Sequence, residues 1–171
     1  MFISEPTTTL TDYAMALQSA VHAVTLRRAV IAADRPADMA VRLYLAGFAM
    51  AAWASFAGGT SHGFRPQMGE SVWGVVWTFT VIAIVTAFAL LMAGGARSAM
   101  SPTVVDPRRR RSGRRWLLVG FGATAVGLTL LVQKVSFHPH FNHNDLYHVV
   151  QMAGLYGVYR GGRRLLDLDP A

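Results

Sequence analysis

One stretch decides what this chain can fold into. Val72–Met92, which contains WGVVWTFTVIAIVTAFALLM, carries no charged residue. A helix needs about 20 such residues to cross the hydrocarbon core of a bilayer, and a soluble surface helix would show a polar face here. Two further runs behave alike. Met39–Gly59 holds only Arg42, and Trp116–Val135 holds only Lys134. Two shorter, more polar runs, about 10–26 and 146–159, complete the set. The expectation is an all-α, polytopic transmembrane bundle of about five spans, 10–26, 39–59, 72–92, 116–135 and 146–159, forming one domain.

Composition agrees. The chain is 53% hydrophobic and 15% charged, against about 45–50% and about 25% for a soluble domain. It has no cysteine, which excludes disulfides, thiolate zinc sites and a cysteine nucleophile. The N-terminal MFISEPTTTLTD is acidic and Thr-rich and does not read as a cleavable signal.

The net charge of +7 is sorted along the chain. Arg27, Arg28, Arg35 and Arg42 follow the first run. Arg97, Arg108–Arg111, Arg114 and Arg115 lie between the third and fourth, and Arg160, Arg163 and Arg164 follow the fifth. Only Arg65 and Lys134 fall in the alternate segments. Positive-inside sorting predicts an outer N-terminus, a cytoplasmic C-terminus and an odd number of spans in the inner (plasma) membrane. The PRRRRSGRR run has no groove-reading or aromatic element beside it, so it reads as topogenic charge near lipid headgroups and not as a nucleic-acid site. Membrane lipids, further copies of the chain or other membrane subunits are the expected partners.

This orientation gathers His62, His138, His140, His143 and His148 with Glu5, Asp12, Glu70 and Asp145 toward the outer side. The densest segment is FHPHFNHNDLYHVVQM. Pro139 stops a helix, Asn142 or Asn144 caps the next one, and Asp145 sits in its first turn. Asn144, His148 and Gln151 then share a face at i, i+4 and i+7. Ionisable groups inside a membrane usually face the bundle interior or a water-filled cavity. Asp12, Ser19 and His22 share one face of the first helix, and Ser55 lies seven residues before His62 in the second.

His62, His143 and His148 are the candidate metal ligands, with zinc the metal such donors favour. Asp145 or Asp12 would orient a water, Ser55 would act with them, and Asn144 and Gln151 would bind substrate. His143 and His148 point about 140° apart on one helix, so only a non-helical His143 joins the same metal. Each residue also has a plainer reading. His22 suits a buried inter-helix hydrogen bond, and His138 and His140 suit a solvated loop. Trp53, Trp73 and Trp77 suit packing or lipid contact. Gly120, Gly122, Gly127, Gly154 and Gly157 read as helix-packing surfaces. No Walker loop, dinucleotide fingerprint, HExxH or GxSxG occurs.

The segments FNHNDLYHVVQM, GLYGVYRGGRRLL and GGTSHGF resemble an uncharacterised family of bacterial polytopic membrane proteins. More distantly, the chain is similar to the alkaline ceramidase and adiponectin-receptor-like superfamily. That resemblance implies a zinc held by three histidines, with Asp and Ser nearby, and hydrolysis of a lipid-like amide or ester. Ser55 and His62 match its early Ser/His pair and His148 the second His of its terminal HxxxH. Asn144 stands where the first would be. The competing classes are a non-catalytic subunit carrying haem or a pigment, and a small-solute or proton conductor in which His22 lies below Asp12.

Overall fold

The computed structural model describes residues 3–34, 37–101, 106–138 and 141–168. Arg35, Pro139 and His140 lie outside the described residues. Five helices follow one another: α1 (Pro6–Ala32), α2 (Met39–Phe64), α3 (Glu70–Met100), α4 (Pro107–Val132) and α5 (His143–Leu165), with a 3-10 turn at Arg65–Gln67. No strand occurs among the described residues.

The helix ends follow local chemistry. Asp38 caps α2 by accepting from Val41 N at 2.9 Å, and Asp106 caps α4 by accepting from Arg108 N at 3.0 Å. Pro6 and Pro107 open α1 and α4, where a missing N–H costs nothing. At the ends of α4 and α5, Val135 N donates to Leu130 O and Leu168 N to Arg163 O. These close Schellman turns whose left-handed residues are Lys134 (φ 53°) and Asp167 (φ 55°).

In order of contact the helices run α3, α2, α1, α5, α4, and α3 also approaches α5 and α4. Glycine sets the tightest join. At Gly120 an added Cβ would lie 2.6 Å from Val158 N, and at Gly157 it would lie 2.7 Å from Gly120 Cα. Gly113, Gly127, Gly154 and Gly161 continue this α4–α5 seam. Gly122 does not belong to it. Nothing lies within 4 Å of its Cβ position, because it points away from α5.

Burial is inverted on α1. Leu10 and Leu17 are 68% and 67% exposed, with Val21, Val24 and Ile31 beside them, whereas Thr8, Asp12, Ser19 and His22 are buried. α3 turns Val75, Phe79, Ile82, Val85 and Phe88 outward. Three helices, in α2, α3 and α4, are long and apolar enough to cross a membrane. α1 and α5 fall short because their polar residues face each other, and a hydropathy average cannot tell inward from outward.

The described basic residues other than Arg65 and Lys134 gather at one end. Arg110 and Arg114 donate to Ala99 O, and Arg109 pairs with Asp167 at 2.8 Å. Arg164 donates to the Ser112 hydroxyl, and Arg163 donates to Tyr159 Oη at 3.0 Å. Beneath them lies an apolar core of Tyr44, Phe48, Leu26 and Val158.

Candidate functional site

The opposite end holds the histidine-rich cluster. Asn142 caps α5, its side chain accepting from Asn144 N at 2.8 Å, while Asp145 Oδ2 accepts from Asn142 N at 2.8 Å. This is a reciprocal capping box with Asp at the third position. Thr8 of α1 donates to the other oxygen, Asp145 Oδ1, at 2.7 Å. Asp145 is fully buried; one of its oxygens closes the cap of α5 and the other ties α5 to α1.

His148 lies one turn further along. Its Nδ1 is 2.9 Å from Thr11 Oγ1 and its Nε2 is 3.4 Å from Asp12 Oδ1. Thr11 donates its hydroxyl proton to Thr8 O at 3.0 Å. In the tautomer that leaves this proton directed at Thr8 O, Nδ1–H of His148 donates to Thr11, and Nε2 and the Asp12 carboxyl share one proton between them. Asp12 and His148 are 3% and 6% exposed, so the pair is shielded from bulk water. Asp12 packs against α2 at Gly58, whose added Cβ would meet its carboxylate at 3.3 Å. A side chain there would crowd the pair.

His62 goes elsewhere. Its Nδ1 lies 3.1 Å from Glu5 Oε2, and its ring meets Trp77 edge-on. Ser4 fastens the same corner by donating to His62 O at 2.5 Å. His143 and Asn144 occupy the first turn of α5, both half-buried. His138 is exposed. His22 stacks on Tyr159 at 4.2 Å between centroids, and Gln18 Nε2, 3.2 Å from its Nε2, also donates to Met152 O. Trp53 is exposed, and Trp73 stacks on Trp77.

Ser55 and Gln151 belong to a second feature, a cavity of about 240 Å³ lined from all five helices. Met15, Ser55, Leu91, Thr124, Tyr147 and Gln151 contribute to its wall. No Lys, Arg, Asp or Glu is among the lining residues. α3 and α4 meet where Gly95 faces Phe121 and Leu117, and on the mouth Ile84, Val85 and Leu128 are exposed. Gln151 Oε1 is buried without a hydrogen-bond partner among the described residues.

Among the described residues no three His, Cys, Asp or Glu are grouped to hold a metal ion. His62 is committed to Glu5, both ring nitrogens of His148 are committed to α1, and His143 begins the helix that carries His148. The sequence placed Glu5 on this side without pairing it to His62, and it missed Thr8, Thr11 and Tyr147. The one available signal was the spacing of Thr8, Asp12, Ser19 and His22 on one face of α1.

The fold and site define an all-helical protein with membrane-length apolar helices and a buried carboxylate–imidazole cluster joining its first and last helices. The chain belongs to the family of unknown function DUF6962, whose model matches residues 7–106 and 99–167. No curated protein and no solved structure matches it, so the likeness to ceramidases and adiponectin receptors rests on no relative.

Proposed function

We propose that this is a five-span inner-membrane protein, N-terminus outside, that acts on a lipid-like amide or ester by metal-independent acid–base chemistry. The inverted burial of α1 supports five spans, since a helix with leucines outward and Asp12 inward suits lipid better than water. The described basic residues other than Arg65 and Lys134 lie at the end assigned to the cytoplasm.

One observation carries the functional reading. On three helices at once, the cavity's wall lies about one turn from the Asp12–His148 pair. Met15 follows Asp12 by three residues, Gln151 follows His148 by three, and Ser55 precedes Gly58 by three. An acyl chain would lie between α3 and α4, with its head toward Ser55, Tyr147 and Gln151. The uncharged wall favours an uncharged head, because a buried unpaired charge is costly. Gln151 Oε1 can only accept, so it suits an amide N–H or a hydroxyl. Water adds to the carbonyl carbon as the Asp12–His148 unit takes its proton. Ser55 and Tyr147 donate to the oxygen that gains charge, and the unit returns the proton to the departing amine or alcohol.

The test is turnover of fluorogenic medium-chain acyl amides and esters by the reconstituted protein. Asp12→Asn and His148→Gln should each lower it about 10²- to 10⁴-fold, and a chelator should leave it unchanged. Failure of the wild type on the whole panel overturns the reading.

A second reading, proton conduction along α1 and α5, is favoured by the placement of Asp12, His22, Asp145 and His148. These are the buried carboxyl and imidazole groups among the described residues, and all lie on those two helices. It predicts pH-driven flux in liposomes that His22→Ala abolishes.

A further inference from the structure

The arginines at the start of α4 divide into two sets. Arg109, Arg110 and Arg114 are tied to Asp167 or to carbonyls at the end of α3. Arg108, Arg111 and Arg115 are exposed and have no side-chain partner among the described residues. They stand at i, i+3 and i+7, within about 60° of one another around the helix. With Pro107 and Ser112 they line a recess of about 320 Å³.

Ser112 is already oriented. Its oxygen accepts from Arg164 of α5, which leaves its own hydroxyl proton to donate into the recess. Three guanidinium groups and one hydroxyl therefore line one recess; the nearby Asp106 carboxylate is engaged with Arg108 N at the helix cap and forms no ion pair with them among the described residues. Guanidinium forks match phosphate oxygens in pairs, and a phosphomonoester supplies about −1.5 to −2 charges against them. Trp116 follows directly and meets Tyr156 edge-on, in the amphipathic position favoured at a membrane interface.

We infer that Arg108, Arg111, Ser112 and Arg115 form a binding site for the phosphomonoester head of an anionic phospholipid at the basic end of the helices. The site is remote from the histidine cluster and does not depend on the chemistry proposed there. It needs only that this end meets a lipid headgroup layer, and a detergent titration reads it directly.

Detergent-purified full-length protein is titrated with phosphatidic acid and with phosphatidylcholine of the same chains, and bound lipid is counted by native mass spectrometry. Phosphatidic acid should bind at least ten-fold more tightly. Replacing Arg108, Arg111 and Arg115 together by Gln should remove that preference, and Ser112→Ala should weaken binding by about three-fold. The three arginines are exposed, so the variant should keep its helical signal and melting temperature. The Arg111→Gln single variant, which should lose about ten-fold, provides the same test with less perturbation. Equal binding of the two lipids, or unchanged binding by both arginine variants, overturns the site. Displacement of phosphatidic acid by millimolar inorganic phosphate overturns the assignment to lipid.

Discussion

A methyl group placed on Gly120 probes the α4–α5 seam at its tightest point. Its Cβ would stand 2.6 Å from Val158 N and 2.8 Å from Gly154 O, where ordinary contact begins at 3.4 Å. The helices must part by about 0.8 Å, because the atoms struck are backbone and cannot rotate aside. Overpacking of this kind costs about 1–3 kcal/mol, and the backbone obstruction puts Gly120→Ala near the upper end. Better helix propensity offsets at most about 1 kcal/mol, leaving a loss of about 2 kcal/mol. Gly122→Ala, two residues away with nothing within 4 Å, incurs no clash and should be neutral or stabilising by up to about 1 kcal/mol. Reversible unfolding in mixed micelles on adding SDS, followed by helix ellipticity and tryptophan fluorescence, measures both. Trp116, packed against Tyr156 across the seam, reports on this region. Stabilities of the two variants within about 0.5 kcal/mol of each other would refute the glycine argument.

Asp12→Ala or His148→Ala alone should lower stability by about 3–5 kcal/mol in the same assay, since each strands a buried partner, and the double variant should lose less than the sum. Thr8→Val removes the donor to Asp145 Oδ1 and should cost about 1–3 kcal/mol; a wild-type unfolding curve would show that the 2.7 Å contact contributes nothing. Because the chain has no cysteine, single cysteines report orientation directly. A membrane-impermeant maleimide should label Ser136→Cys in intact cells and Ala33→Cys only after lysis. Dialysis against a chelator should leave the melting temperature unchanged, and a fall would return the histidines to metal binding.

α3 was legible because its run is apolar on every face, so no knowledge of orientation was needed. α1 and α5 were harder for the opposite reason. Their polar residues are concentrated on the sides they turn to each other, and averaging along the chain dilutes the outward leucines. The capping of α5 by Asn142 could be read locally, since the donor and acceptor lie within one turn. The fate of His62 could not. Its partner Glu5 lies fifty-seven residues away, and only the rotation of α2 about its axis decides whether it faces His148 or the N-terminal segment. Gly122 was misassigned for the same reason. Composition marks glycines that permit close approach but not the side on which a neighbour stands.

The seam between α1 and α5 also constrains the order in which the molecule can be built. Thr8 and Asp145 are 137 residues apart, so the first helix waits for the last before its polar face is satisfied. On the five-span reading, α1 would hold Asp12 against Gly58 of α2 but without its imidazole until α5 emerges. A chain truncated before His143 would keep its three most apolar helices yet leave that carboxyl without its imidazole. The membrane would thus hold an incomplete chain in a state that quality-control proteases can recognise, and completion of the final helix would act as the signal that assembly is finished.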